Sequence, residues 1–219
     1  MGEPERMSRS FPYSSLSDCD ASLKSLTQAD GSAKTAAMAR NAVLTKPAGA
    51  LGRLEDLALW FASWQGAARP ALERIQILVF AGNHGVAAKG VSAFPADVTT
   101  QMVFNFQAGG AAVNQLAKLA GADFSVHAVD LDTPTEDFTS ASAMDNSSFL
   151  DAFNLGASKV DPSADLVVTG EMGIGNTTSA AALLAANFGG SASDWVGRGT
   201  GVDKDGMSRK TAVIDQGLA

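Results

Sequence analysis

A single cysteine, Cys19, in a chain of 219 residues leaves no internal disulfide to form, and neither it nor the two histidines falls into metal-ligand spacing. A cytoplasmic protein with no metal and no cofactor is the expectation. Positive charge is also scarce: 16 basic residues against 23 acidic give a net charge of -7, which disfavours nucleic acid and anionic membranes as partners. No apolar run reaches the length of a membrane span, and the first residues mix Glu, Arg, Ser and Pro without an apolar signal core, so residues 1–19 are expected to be disordered. Only 18% of residues are charged and 46% are hydrophobic, enough for one sizeable core, and small-molecule chemistry is favoured.

What is present is alternation. Residues 20–44 carry Leu and Ala at helical spacing up to a turn at Lys46-Pro47-Ala48-Gly49. A second helix follows, in which Leu54, Leu57, Phe61 and Trp64 share a stripe with Glu55 and Asp56 off it, the pattern of a core-packing helix. Together they read as a small N-terminal helical lobe over residues 20–66. The apolar run Ile75-Gln76-Ile77-Leu78-Val79-Phe80 stops at Ala81-Gly82-Asn83-His84-Gly85, residues 124–131 repeat the pattern around His127, and both read as buried parallel strands. Between them residues 98–120 read as a helix interrupted at Gly109-Gly110, whose missing side chains allow another backbone to approach. A polar segment at 133–148 leads through a short amphipathic helix to a third strand at 164–169, and Trp195-Val196-Gly197 opens a further strand or a loop. This order predicts an α/β fold over residues 67–219, a mostly parallel, Rossmann-like sheet flanked by helices, with ligands at the carboxyl ends of its strands.

The third strand runs through Gly170-Glu171-Met172-Gly173-Ile174-Gly175 into an alanine-rich helix that starts at Asn176-Thr177-Thr178. Small residues let backbone N–H groups converge and the helix start adds the positive end of its dipole, so an anion is the natural guest. The spacing mimics a P-loop, but Asn176 stands where a P-loop has Lys, and Thr178 stands where a dinucleotide fingerprint has its third glycine. A single phosphate fits better than a nucleoside triphosphate or a dinucleotide, and a bare strand-to-helix turn with nothing bound is the bland alternative. Gly197-Arg198-Gly199-Thr200-Gly201 is a second glycine-dense turn, with Lys210 beyond it as an ammonium for phosphate capture or as a solvated helix residue. Glu171 and His84 stand at strand ends, where a carboxylate and an imidazole can serve chemistry, although His84 can equally just hold its loop. Phe94, Gln101 and Met102 follow that loop as walls of an apolar, ring-accepting pocket or as ordinary core.

Lys46-Pro47-Ala48-Gly49-Ala50-Leu51-Gly52-Arg53-Leu54-Glu55, Phe80-Ala81-Gly82-Asn83-His84-Gly85-Val86 with Gly90-Val91-Ser92, the 170–178 stretch and the 197–201 turn occur in order, and together they resemble the nicotinate-nucleotide:dimethylbenzimidazole phosphoribosyltransferase family over residues 20–219. The resemblance implies a homodimeric enzyme that transfers 5-phosphoribose from nicotinate mononucleotide to 5,6-dimethylbenzimidazole, giving α-ribazole 5'-phosphate and nicotinate for the lower ligand of cobalamin. It places the phosphate on Gly173, Gly199 and Lys210, with Asn176 and Thr177 shaping the loop and Gly175 also in the substrate site. The benzimidazole then lies near Phe94 and Met102, with Gln101 and His84 also in the substrate site, and Glu171 serves the ribose or the reacting centre. The chain departs from the family at Asn83, where many relatives have Asp, and at Ala50, where Ser is usual. The family's later Arg-Leu-Gly-Glu-Gly motif, whose glutamate the resemblance makes the general base, has no counterpart here, so a C-terminally truncated core is expected. A noncatalytic fragment that binds azole nucleotides is the alternative.

Overall fold

Two side-chain caps divide what the periodicity predicts as one helix over residues 20–44. In the computed structural model, which describes residues 12–219, Ser15 accepts from the Asp18 N–H and starts α1 (Leu16–Lys24). Asp30 accepts from the N–H groups of Ser32 and Ala33, at 2.8 and 3.0 Å, and starts α2 (Gly31–Ala42). Each cap satisfies donors that a helix start leaves open, so the chain gains more by restarting than by continuing. Helix α1 also begins inside the stretch expected to be disordered; residues 1–11 of that stretch lie outside the described residues.

The chain forms two units. One comprises the described residues up to Ile75 with Ser163–Leu166, and the other comprises Gln76–Pro162 with Val167–Ala219. In the first, α2 packs against α3 (Arg53–Gln65), which ends on Gly66 in the left-handed conformation. Most of the stripe expected to be buried is not: Leu54, Leu57 and Trp64 are 63%, 47% and 54% exposed, Phe61 is partly buried, and the buried positions of α3 are Ala62 and Ser63. Small residues let the two helix backbones approach, and the Asp30 N–H reaches the Ser63 carbonyl at 2.8 Å. Glu55 is the polar hub of this unit, accepting from Lys46 Nζ at 2.7 Å, Asn41 Nδ2 at 2.8 Å and the Leu51 N–H at 3.1 Å. Those hydrogen bonds, led by Lys46 and then Asn41, lower its pKa to about 2.

The second unit is built on β1 (Ile75–Gly82). Its run of Ile, Leu, Val and Phe matches a strand covered on both faces, with Leu78, Val79 and Ala81 buried. After a 3-10 turn at Gly85–Lys89 come α4 (Asp97–Gln107), α5 (Ala112–Ala120) and β2 (Asp123–Val129), which pairs with β1 in parallel from Gln76↔Asp123 to Gly82↔Val129. Both helices pack on β2. The Gly109-Gly110 break is present, but its reason differs from the expectation. Gly109 turns the chain at φ +76°, and Gly110 lies against the Asn105 side chain of its own helix rather than against another element. Helix α6 (Asn146–Ser158), capped by Asp145, leads to β3 (Leu166–Met172) on the other side of β1, which completes a three-stranded parallel sheet in the order β2-β1-β3. Gly170 is a strand residue, not part of the turn: a side chain there would press on Val79 of the neighbouring strand.

The chain closes with α7 (Asn176–Phe188), the short α8 (Ala192–Trp195) and α9 (Lys204–Leu218). Trp195 therefore ends a helical turn rather than opening a strand. Ala181, Ala182, Ala192 and Ile214 form the contact among these helices, flanked by Phe138, Trp195 and Val196. The alanines let α9 lie close to α7, and the buried stripe of α9 is Gly206, Lys210, Val213 and Ile214. A lysine on the inward stripe is what brings an ammonium to the start of α7.

Candidate functional site

From β1 the chain crosses to β2 on one side and later to β3 on the other, so the crevice beyond the carboxyl ends of β1 and β3 is the topological switch point, where open α/β sheets bind ligands. Two chain segments meet there. After Met172 the backbone passes so close to the Gly82 carbonyl and the His84 ring that a Cβ on Gly173 would overlap the carbonyl oxygen. Ile174 follows, 3% exposed, and Gly175 then turns the chain into α7 at φ +93°, a conformation that suits glycine and serves as N-cap without a capping side chain.

Backbone bonds pin this turn. The Asn176 N–H donates to the Gly173 carbonyl at 3.2 Å, the Thr178 N–H to the Gly175 carbonyl at 3.0 Å, and the Ile174 N–H to Thr99 Oγ1 on α4 at 3.2 Å. The Asn176 amide oxygen takes the Thr177 N–H at 2.6 Å, so Asn176 shapes the loop locally. The helix dipole of α7 points its positive end at the same crevice.

Lys210 is 1% exposed. Its Nζ donates to Thr177 Oγ1 at 3.0 Å and to the Gly197 carbonyl at 2.9 Å, and a side chain at Gly199 would meet it. Both partners are neutral, and burial lowers its pKa from the ordinary lysine value. An ammonium held this way has no counter-charge among its hydrogen-bond partners and faces the crevice as a candidate anion donor. The second glycine turn is closed by Gly201 and Val202 N–H bonds to the Arg198 carbonyl and by Arg198 Nε donating to the Val202 carbonyl at 3.2 Å. Together these segments enclose a cavity of about 170 Å³ whose walls include Glu171, Gly173, Asn176, Thr177, Gly199 and Lys210. Gly175, Ser92 and Arg198 also line it. Glu171 keeps an exposed side chain, yet partial desolvation by the wall raises its pKa, which favours proton uptake at the crevice.

The other residues expected in the site are not in the lining of this cavity. His84 is half-buried, its Nδ1 3.3 Å from Ser179 Oγ on α7, and burial lowers its pKa, which favours the neutral ring. It lines a larger open cavity of about 1230 Å³ on the β2 side, together with Asn83, Asp130 and the 133–148 loop. Phe94, 49% exposed, with Gln101 and Met102 on α4, is not in the lining of either cavity; the loop before α4 reaches the smaller one through Val91 and Ser92. Sequence reasoning missed Thr99. The signal was its place on the buried face of α4 with Val103 and Phe106, a hydroxyl where the spacing asks for an apolar residue.

Residues 26–219 match the model of a phosphoribosyltransferase family. The nicotinate-nucleotide--dimethylbenzimidazole phosphoribosyltransferase of Ruegeria pomeroyi is 62% identical over 190 residues, 87% of this chain and 56% of that protein. The enzyme of the same name from Roseobacter denitrificans is 57% identical over 207 residues, 94% of this chain and 61% of its own length. Among solved structures, CobT from Thermus thermophilus superposes with a TM-score of 0.75 at 37% identity, over 85% of this chain and 62% of that one. A structure of the nicotinate-nucleotide-dimethylbenzimidazole phosphoribosyltransferase from the same organism gives a TM-score of 0.77 at 36% identity, with 86% and 62% covered. The chain spans about three-fifths of the length of the curated relatives it matches. On the match across residues 26–219 and these identities, the chain belongs to the nicotinate-nucleotide–dimethylbenzimidazole phosphoribosyltransferase family.

Proposed function

We infer that the chain carries the phosphoribosyl site of an enzyme that transfers 5-phosphoribose from nicotinate mononucleotide to 5,6-dimethylbenzimidazole, giving α-ribazole 5'-phosphate and nicotinate in cobalamin biosynthesis. The observation that carries this reading is the meeting of two glycine turns, the start of α7 and the buried Lys210 around one cavity. Such a cradle suits one phosphoryl group. With the phosphate on Gly173, Gly175, Gly199 and Lys210, the ribose extends toward Glu171 at the end of β3. A benzimidazole nitrogen, presented from the side of Phe94, Gln101 and Met102, attacks the anomeric carbon from the face opposite the pyridinium. The new C–N bond forms as the old one breaks, its electron pair neutralises the pyridinium, and nicotinate leaves. The benzimidazolium so formed then gives its N–H proton to solvent water. Glu171, whose pKa burial raises, stands at the ribose end to take part in charge balance there. Holding both reactants in line can supply up to roughly 7–11 kcal/mol of the barrier.

A homodimer and a cytoplasmic location belong to the same reading and are supported by the family membership. The described residues contain no helix long and apolar enough to cross a membrane. Incubating the chain with nicotinate mononucleotide and 5,6-dimethylbenzimidazole tests catalysis: release of nicotinate with appearance of α-ribazole 5'-phosphate is the expected result. Binding of both without nicotinate release refutes turnover by this polypeptide and leaves the nucleotide-binding part of the reading standing.

A further inference from the structure

One peptide unit of the phosphate turn is held at both ends. The Gly173 carbonyl accepts from the Asn176 N–H at 3.2 Å, and the Ile174 N–H across the same rigid plane donates to Thr99 Oγ1 at 3.2 Å. A planar peptide clamped at its oxygen and at its nitrogen has no freedom to rotate. Its direction sets the neighbouring N–H groups of the turn, which are the ones a phosphate would meet. Thr99 does not belong to the turn. It is in the first part of α4, 0% exposed, two residues before Gln101 and three before Met102, and α4 continues the loop that brings Val91 and Ser92 into the cavity wall. Ile174, at 3% exposure, and the fully buried Thr99 hold this hydrogen bond away from bulk water.

The Ile174 N–H is thereby taken out of phosphate binding and used as an anchor, which explains why a hydroxyl interrupts the apolar face formed by Val103 and Phe106. Any shift of α4 must pull on the peptide between Gly173 and Ile174, and any closing of the turn on a phosphate must pull on α4. Packed, hydrogen-bonded elements of this kind transmit a displacement instead of absorbing it.

We propose that Thr99 is the positioning residue that couples the two ends of the active site, so that an azole base bound against α4 and a ribonucleotide phosphate bound on the Gly173–Gly175 turn strengthen each other's binding. The inference rests on the phosphate and base placements given under the proposed function. Coupling is reciprocal: whatever factor the base adds to nucleotide affinity, the nucleotide adds to base affinity.

Calorimetric titration of the chain measures this directly, with nicotinate mononucleotide and 5,6-dimethylbenzimidazole each titrated alone and in the presence of the other. In the unsubstituted chain each ligand is expected to tighten the other severalfold. Thr99→Val keeps the shape and removes the acceptor, so nucleotide affinity is expected to fall about tenfold and the mutual enhancement to vanish. Thr99→Ser retains the hydroxyl and is expected to keep both. An unchanged enhancement in Thr99→Val overturns the inference. Loss in Thr99→Ser equal to that in Thr99→Val also overturns it, because packing rather than the hydrogen bond would then be the cause. Lys210→Met separates the underlying reading: if it leaves nucleotide affinity unaltered, the phosphate placement itself is wrong, whereas a loss there with none in Thr99→Val removes only the coupling. Amide exchange needs no substitution. The Ile174 N–H is expected to exchange slowly, and more slowly once the benzimidazole is added; exchange at the rate of an open loop, or no response to the base, contradicts the proposal.

Discussion

Replacing Lys210 with methionine keeps the length and most of the bulk of the side chain and removes only its charge and its donors. In the folded protein Nζ donates to Thr177 Oγ1 at 3.0 Å and to the Gly197 carbonyl at 2.9 Å, with no acidic partner among the described residues. Two opposing effects on stability follow. Losing the donor leaves the Gly197 carbonyl unpaired, at a cost of about 1–3 kcal/mol if no water replaces it. Removing a desolvated charge returns a penalty that amounts to several kcal/mol for a buried ion. The thermal midpoint of Lys210→Met is therefore expected to stay level or rise, while ligand binding moves the other way. A hydrogen bond from an ammonium to a phosphate oxygen contributes about 1.5–3 kcal/mol. At about 1.4 kcal/mol per decade, that is a loss of roughly 10- to 150-fold in affinity for nicotinate mononucleotide. Titration with nicotinate riboside, which lacks the phosphate, is the control and is expected to change little. If the two ligands weaken equally, or neither does, Lys210 does not hold the phosphate and the argument from its burial fails.

Two further outcomes are expected. Gly173→Ala forces a methyl group onto the Gly82 carbonyl, so it should lower stability by about 1–3 kcal/mol in urea denaturation and abolish nucleotide binding; a variant as stable as the parent would show that the turn has slack the structure does not. Glu55 has a pKa of about 2 in the folded chain against 4.5 unperturbed, so between those values the unfolded state binds the extra proton. The stability contributed by Glu55 is complete above pH 4.5 and is lost as pH falls toward 2. Tryptophan fluorescence, reporting Trp60 and Trp64 on the same helix, should therefore show an acid transition in that window that Glu55→Gln suppresses; an identical transition in the variant would contradict the assignment.

Glycine placement made the turn at Gly173 legible, because only a close approach or a positive φ explains Gly173-x-Gly175 between a strand and a helix. Gly170 has a different reason, which only tertiary packing reveals: it is a strand residue where a side chain would press on Val79. Lys210 could be named from motif resemblance, whereas its geometry could not be read from local sequence. Its neighbours Arg209 and Thr211 are those of a solvated helix, and only the packing of α9 on α7 turns it inward. The helical lobe is the reverse case. Leu54, Leu57 and Trp64 have the spacing of a core stripe, yet the buried positions of α3 are Ala62 and Ser63, and Glu55 accepts from Asn41 of α2.

Local sequence determined the three strands and most of the helices and turns, because apolar periodicity, caps and glycine act over a few residues. It also carried the Gly173–Gly175 turn, because that bend is made of consecutive backbone groups. Tertiary structure alone decided that the strands stand in the order β2-β1-β3, that the second glycine turn and Lys210 face the first across one cavity, and that Thr99 anchors the Ile174 amide from 75 positions away. These pairings are long-range, and no periodicity within a segment encodes its partner; the partner is fixed only when all apolar faces are buried at once.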